Sequence, residues 1–135
     1  MKYFSINELA FSSTAESKGI DNIPDFNQSK SIEALVNNIL DPAREALGRP
    51  IHVNSGFRGG ALNKAVGGAT TSQHTKGEAA DIELGGKSTA ENKELYDWIA
   101  ANCEFDQLIN EYNFSWVHVS YKKDGGNRKQ QLSIG

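Results

Sequence analysis

The chain has 135 residues, 38% hydrophobic and 23% charged, with 14 Lys and Arg against 17 Asp and Glu and a formal charge of −3. That is the length of one domain, too hydrophobic for disorder, with no apolar run near the ~20 residues that cross a bilayer. The missing basic excess argues against a nucleic-acid partner, and a single cysteine, Cys103, excludes an internal disulfide or a cysteine-built zinc site.

In chain order, Ser5 with Glu8, Ser13 with Glu16 and Ser88 with Glu91 each have capping-box spacing, where hydroxyl and carboxylate satisfy the free amides of a helix start. The first two predict short helices in an N-terminal extension, residues 1–30, packed on the remaining chain. No basic-then-apolar export signal follows Met1-Lys2. Gly19 to Pro24 reads as a loop. Ile32, Leu35, Val36, Ile39, Leu40, Ala43 and Leu47 keep helical spacing from Ser31 to Leu47, with Gly48 placed to end the helix and Pro42 to kink or split it. A second amphipathic helix fits Thr89–Asn102.

Strands are expected at Ile51–Asn54, Ala79–Leu84, Phe105–Tyr112 and Ser115–Lys122, the last two as neighbours. After the Asp124-Gly125-Gly126-Asn127 turn, Arg128–Ile134 returns as an edge strand. Helices first and strands mostly later give an α+β class: a single domain, residues 1–135, with an antiparallel sheet packed against helices.

Side chains alternate faces along a strand. In Ser115 to Tyr121, Val117 and Val119 make the natural core face, so His118 points the other way with Trp116 and Ser120. In Ala79 to Leu84, Ala80, Ile82 and Leu84 face the core, and Asp81 and Glu83 oppose them. A carboxylate among alanines needs a partner if buried. His74 lies just upstream in the Gly- and Thr-rich loop Gly67–Gly77, the kind of segment that presents functional side chains from a rigid scaffold. If the two strands are neighbours, His74, Asp81 and His118 converge. Two imidazoles and a carboxylate suit a catalytic zinc, which keeps three protein ligands and an open fourth position. His52, on a strand, reads as an ordinary structural histidine.

The segment Ser72-Gln73-His74-Thr75-Lys76-Gly77-Glu78-Ala79-Ala80-Asp81 resembles the Ser-x-His-x-x-Gly-x-Ala-x-Asp signature of the zinc D-Ala-D-Ala carboxypeptidase family, the hedgehog-like metallopeptidases that include phage endolysins. Trp116-Val117-His118 resembles its third-ligand motif, and Ser55-Gly56-Phe57-Arg58 its Ser-Gly-Tyr-Arg, with Phe for Tyr. The resemblance runs from about Ile32 to Tyr121. It implies zinc held by His74, Asp81 and His118, and a glutamate as general base. Many members place that glutamate three residues before the last histidine, where this chain has Ser115. The nearest candidate is Glu111, with Glu83 the weaker competitor.

Arg58 has two chemical uses, stabilising an oxyanion or clamping a peptide carboxylate, and the resemblance favours the first. Ser72 and Gln73 either bind substrate or shape their loop, and Trp116 either lines the cleft or packs beneath it. Lys122, Lys123, Arg128 and Lys129 are expected to form a solvated surface. The function implied is a zinc-dependent peptidase acting on peptidoglycan stem peptides, of carboxypeptidase or endopeptidase type. The alternative is a zinc-bearing cell-wall or protein-binding module of the same fold without turnover. The expected partner is the stem peptide, with no nucleic acid and no membrane, and the protein a monomer. It is either cytoplasmic or released to the cell wall by a phage-type lysis system.

Overall fold

Ser5 opens helix α1 (Ile6–Ala10) by accepting from the Glu8 amide in the computed structural model, which describes residues Met1–Gly135. Helix α2 (Ser13–Lys18) starts one residue earlier than its sequence pattern implies: Ser12 is the cap, its hydroxyl accepting from the Ala15 amide, and Ser13 is already helical. Gly19, at φ 63°, ends this helix in the left-handed conformation that glycine adopts without steric cost.

The long apolar helix also starts earlier than its hydrophobic stripe. Asp25 and Gln28 form a reciprocal capping box, so α3 runs Phe26–Leu35. The chain then continues through one wide turn, Val36–Leu40, into α4 (Asp41–Leu47). Pro42 neither breaks nor splits the helix. It has no N–H to donate, and the wide turn, closed by the Asp41 amide on the Val36 carbonyl, absorbs the missing bond. Ile32, Leu35, Val36, Ile39, Leu40 and Ala43 are all buried, as their spacing predicts.

Five strands follow: β1 (Ile51–Ser55), β2 (Ala79–Leu84), β3 (Gln107–Glu111), β4 (Trp116–Ser120) and β5 (Gln130–Ile134), in the order β1-β2-β4-β3-β5. Helix α5 (Gly60–Ala65) and a tight turn at Gln73–Lys76 lie between β1 and β2, and α6 (Thr89–Asn102) between β2 and β3. Pairings among β1, β2, β4 and β3 are antiparallel, and β5 runs parallel to β3, which makes the sheet mixed at one edge. The cause is where β5 is pinned. Arg128 anchors on Asp106, and the Lys129 and Gln130 amides donate to the Phe105 and Asp106 carbonyls, so β5 starts beside the start of β3.

Ala80, Ile82, Leu84, Leu108, Val117 and Val119 face the helices and join one core with Leu95 and Ile99 of α6. Burying each of the Ile, Leu and Val side chains contributes about 1.5–3 kcal/mol. Cys103 belongs to this core, and burial pushes its thiol up to about 11. No helix is long and apolar enough to cross a membrane. The opposite face of β2, β4 and β3 carries Asp81, His118 and Glu111 beside Ile109 and Trp116.

Candidate metal centre

Strand pairing brings the first two groups together. Asp81 of β2 stands opposite His118 of β4, on the face away from the core. The Nδ1 of His118 lies 2.9 Å from Asp81 Oδ1, and His74 Nε2 lies 3.5 Å from Asp81 Oδ2. The two imidazole rings meet edge to face, centroids 5.2 Å apart. One donor atom from each of the three residues lies within 4.8 Å of the others. The convergence expected from strand alternation is therefore present.

His74 is delivered by the tight turn after α5. The Ser72 hydroxyl accepts from the His74 amide, and Gly77, at φ 76°, closes the turn. A β-carbon on Gly77 would stand 2.5 Å from the Gln28 carbonyl oxygen, so only glycine lets the turn pack against α3. His74 Nδ1 is 2.7 Å from the Gly56 carbonyl oxygen. A carbonyl only accepts, so Nδ1 carries the proton and the lone pair is on Nε2, the nitrogen beside Asp81. An outer hydrogen bond of this kind fixes a ligand histidine's tautomer and aim. His118 makes its ring hydrogen bond to Asp81 alone.

Burial pushes the Asp81 carboxyl up, but the opposing causes, with the hydrogen bond from His118 first among them, outweigh it and hold the group below the usual carboxylate range. Two nitrogens and a carboxylate oxygen, three ligands in all, match the donor set of a catalytic zinc.

The three groups open into a cavity of about 740 Å³ that also takes in Arg58, Ser72, Gln73, Glu111 and Trp116. Glu111 pairs with Trp116 across β3 and β4, and the Trp116 indole N–H donates to its carboxylate at 3.0 Å. Ile109 stands opposite His118. Glu111 is two residues further along that strand on the same face, roughly 7 Å at ~3.4 Å per residue. Glu83 takes hydrogen bonds from Asn54 and Asn92 and does not line the cavity. His52 bonds to the Gly85 carbonyl, as an ordinary structural histidine does.

Arg58 lines the cavity, and its Nε is buried with no hydrogen-bond partner. Burial lowers the pKa of its guanidinium, against the pull of the Asp81 charge. The hydrogen bonds of Ser72 go to its own turn, and the Gln73 amide bonds to the carboxylates of Glu78 and Asp106.

Sequence reasoning missed Asp106, a fully buried carboxylate in the wall of this cavity. Arg128 grips it through Nε and Nη2, both at 2.9 Å, and the Gln73 amide reaches it at 3.1 Å. Lys122 Nζ stands 3.8 Å away. Arg128 and Lys122 thus serve a buried acid and line the cavity, which corrects their reading as part of a merely solvated surface. An acid just ahead of a strand and a cation after a distant turn were the only signals, and neither specifies the pair.

The model of the Peptidase M15 family matches residues 2–120. A zinc D-Ala-D-Ala carboxypeptidase from Streptomyces albus G is 49% identical over 47 residues. That match takes in 34% of this chain and 18% of the relative, so the similarity spans under a fifth of that protein's length.

Proposed function

From the premise that the chain belongs to the Peptidase M15 family, we propose that it is a zinc-dependent peptidase hydrolysing peptide bonds in peptidoglycan stem peptides. The observation that carries this reading is the meeting of His74, Asp81 and His118 donor atoms at the wall of a cavity that also holds a carboxylate and a guanidinium. The carboxypeptidase similarity supports the substrate class, and both carboxypeptidase and endopeptidase types fall within it.

His74, Asp81 and His118 would hold the metal. Zinc there supplies Lewis acidity and brings the pKa of water down toward ~7. Glu111 accepts a proton from the attacking water and returns it to the leaving amine as the carbon–nitrogen bond breaks. The Trp116 indole, bonded to Glu111, fixes that carboxylate in the cavity. Arg58 donates to the carbonyl oxygen as it gains negative charge. The structure gives Arg58 no hydrogen-bond partner of its own at Nε, in keeping with a cation reserved for substrate. Ser72 shapes the turn that presents His74 and, with Gln73 and Trp116, borders the space for the peptide.

One observation favours a second reading. The acid candidate lies seven residues before His118, and Ser115 occupies the nearer position. A zinc-bearing module that binds stem peptide without turnover would have that arrangement. Purified muropeptides incubated with the zinc-loaded protein separate the two. The enzyme reading expects cleavage by the wild type and loss of cleavage in Glu111→Ala and His118→Ala. Stoichiometric zinc with no cleavage of any stem peptide would leave the binding module.

A further inference from the structure

We infer that Asn22, in the N-terminal extension, is a positioning residue for the metal centre: it locks the Gly56–Gly59 loop that aims both His74 and Arg58. The inference rests on the proposed function for its catalytic consequence, but not for its geometry.

The loop is held from two sides. On the cavity side, the Gly56 carbonyl accepts from His74 Nδ1 at 2.7 Å, and the Arg58 amide donates to the His74 carbonyl at 3.0 Å. Behind it stands the extension. Asn22 Oδ1 accepts from the Gly59 amide at 2.7 Å, while its Nδ2 donates to the carbonyls of Phe57 at 2.9 Å and Ala10 at 2.7 Å. One amide supplies two donors and an acceptor to a geometry that no other side chain of that size can match. Leu9 adds a backbone bond, its carbonyl accepting from Phe57 at 2.8 Å. The approach is so close that a β-carbon on Gly56 would meet the Leu9 carbonyl oxygen at 2.2 Å.

Two consequences meet at the metal centre. The Gly56 carbonyl fixes which nitrogen of His74 keeps its lone pair, so a displaced loop turns the imidazole away from Asp81. Arg58 has a buried Nε without a partner, so its side chain lacks a hydrogen bond there to fix it. Its aim depends on the backbone between Phe57 and Gly59, the two residues that Asn22 bonds. The extension is therefore part of the site's framework.

The test uses the full chain, zinc alone as the metal probe, and the variants Asn22→Ala and Asn22→Asp. The aspartate keeps the acceptor for Gly59 but turns a carboxylate oxygen toward two carbonyls, so it does not rescue. Zinc affinity is read by chelator competition, and the His74 Nδ1–H environment by its imidazole proton–nitrogen resonance. The inference expects zinc binding weakened about tenfold, the low end of what loss of outer-shell support costs. It also expects a shifted His74 resonance and, on muropeptide, kcat reduced about tenfold with KM nearly unchanged, as for partial loss of an oxyanion donor. Both variants lowering melting temperature while zinc affinity and the resonance stay at wild-type values would overturn it, leaving Asn22 a purely structural residue. If Asn22→Ala does not fold, the isosteric Asn22→Asp decides alone. A wild type that cleaves no muropeptide defeats the proposed function, while the zinc and resonance readouts still decide on Asn22.

Discussion

Asp81 stands between two imidazoles, one carboxylate oxygen 2.9 Å from His118 Nδ1 and the other 3.5 Å from His74 Nε2. One partner arrives by strand register, the other through a tight turn seven residues upstream of Asp81. A buried carboxylate is costly without such partners. Here the His118 hydrogen bond offsets the burial, and one donor atom from each of the three residues lies within 4.8 Å of the others.

Replacing Glu111 by Gln keeps the side chain's volume and removes its basicity. On muropeptide substrate, kcat should fall about 10²–10⁴-fold, the usual worth of a general base. Zinc stoichiometry should not change, because Glu111 stands apart from the three donor groups. Steady-state kinetics with a parallel metal titration checks both halves, and a Gln variant at full rate would remove Glu111 from the mechanism.

Arg58→Ala should reduce kcat about 10²–10³-fold, as removing an oxyanion donor does. Arg58→Lys should recover little, since a point ammonium does not reproduce a planar fork. If Arg58 instead clamps a substrate carboxylate, the loss would fall mainly on KM. Separate kcat and KM values for the two variants distinguish these uses.

Hydrogen bonds from Arg128 come first among the forces holding the Asp106 carboxyl down, at about 2, against burial. In the unfolded chain a carboxyl of this type titrates near ~3.9. The folded pKa is the lower, so the pair's stabilisation is fully present above ~4 and is lost as pH falls from there through about 2. Arg128→Ala should destabilise the fold at neutral pH, and less so in high salt, because the guanidinium is half exposed. The variant should also lose less stability than the wild type across the acid window. Urea unfolding at pH 7 and pH 3 measures both effects.

Gly77→Ala should destabilise the fold by roughly 2–4 kcal/mol, combining left-handed strain with overpacking. Its φ is 76°, and its β-carbon would press on Gln28 and Ile32 of α3. The turn it closes carries His74, so zinc affinity should weaken with stability. Chemical denaturation beside a zinc titration checks this.

His74, in a turn without a period, was legible in sequence through its Gly-rich loop and the signature it shares with Asp81. Asp81 and His118 were legible because strand alternation is a period-two signal and the apolar faces of β2 and β4 set them on the opposite side. The helical stripe from Ile32 to Ala43 was legible for the same kind of reason. Asn22 and Asp106 left no such trace. Asn22 bonds to backbone groups as far as 37 residues away, and Asp106 pairs with a cation 22 residues on. Contacts of that kind follow from the folded path of the chain and have no period. The parallel course of β5 was hidden likewise, since it depends on where Arg128 anchors. At the start of α2, adjacent serines made the cap ambiguous by one position, and the backbone settled on Ser12.

The central claim is one divalent ion shared by His74, Asp81 and His118. Elemental analysis of the purified protein after zinc loading and exhaustive dialysis tests it most directly, with His118→Ala and Asp81→Ala measured alongside. The account predicts one zinc per wild-type chain and close to none in either variant. A folded wild type that retains no zinc, or variants that retain it fully, would contradict the account.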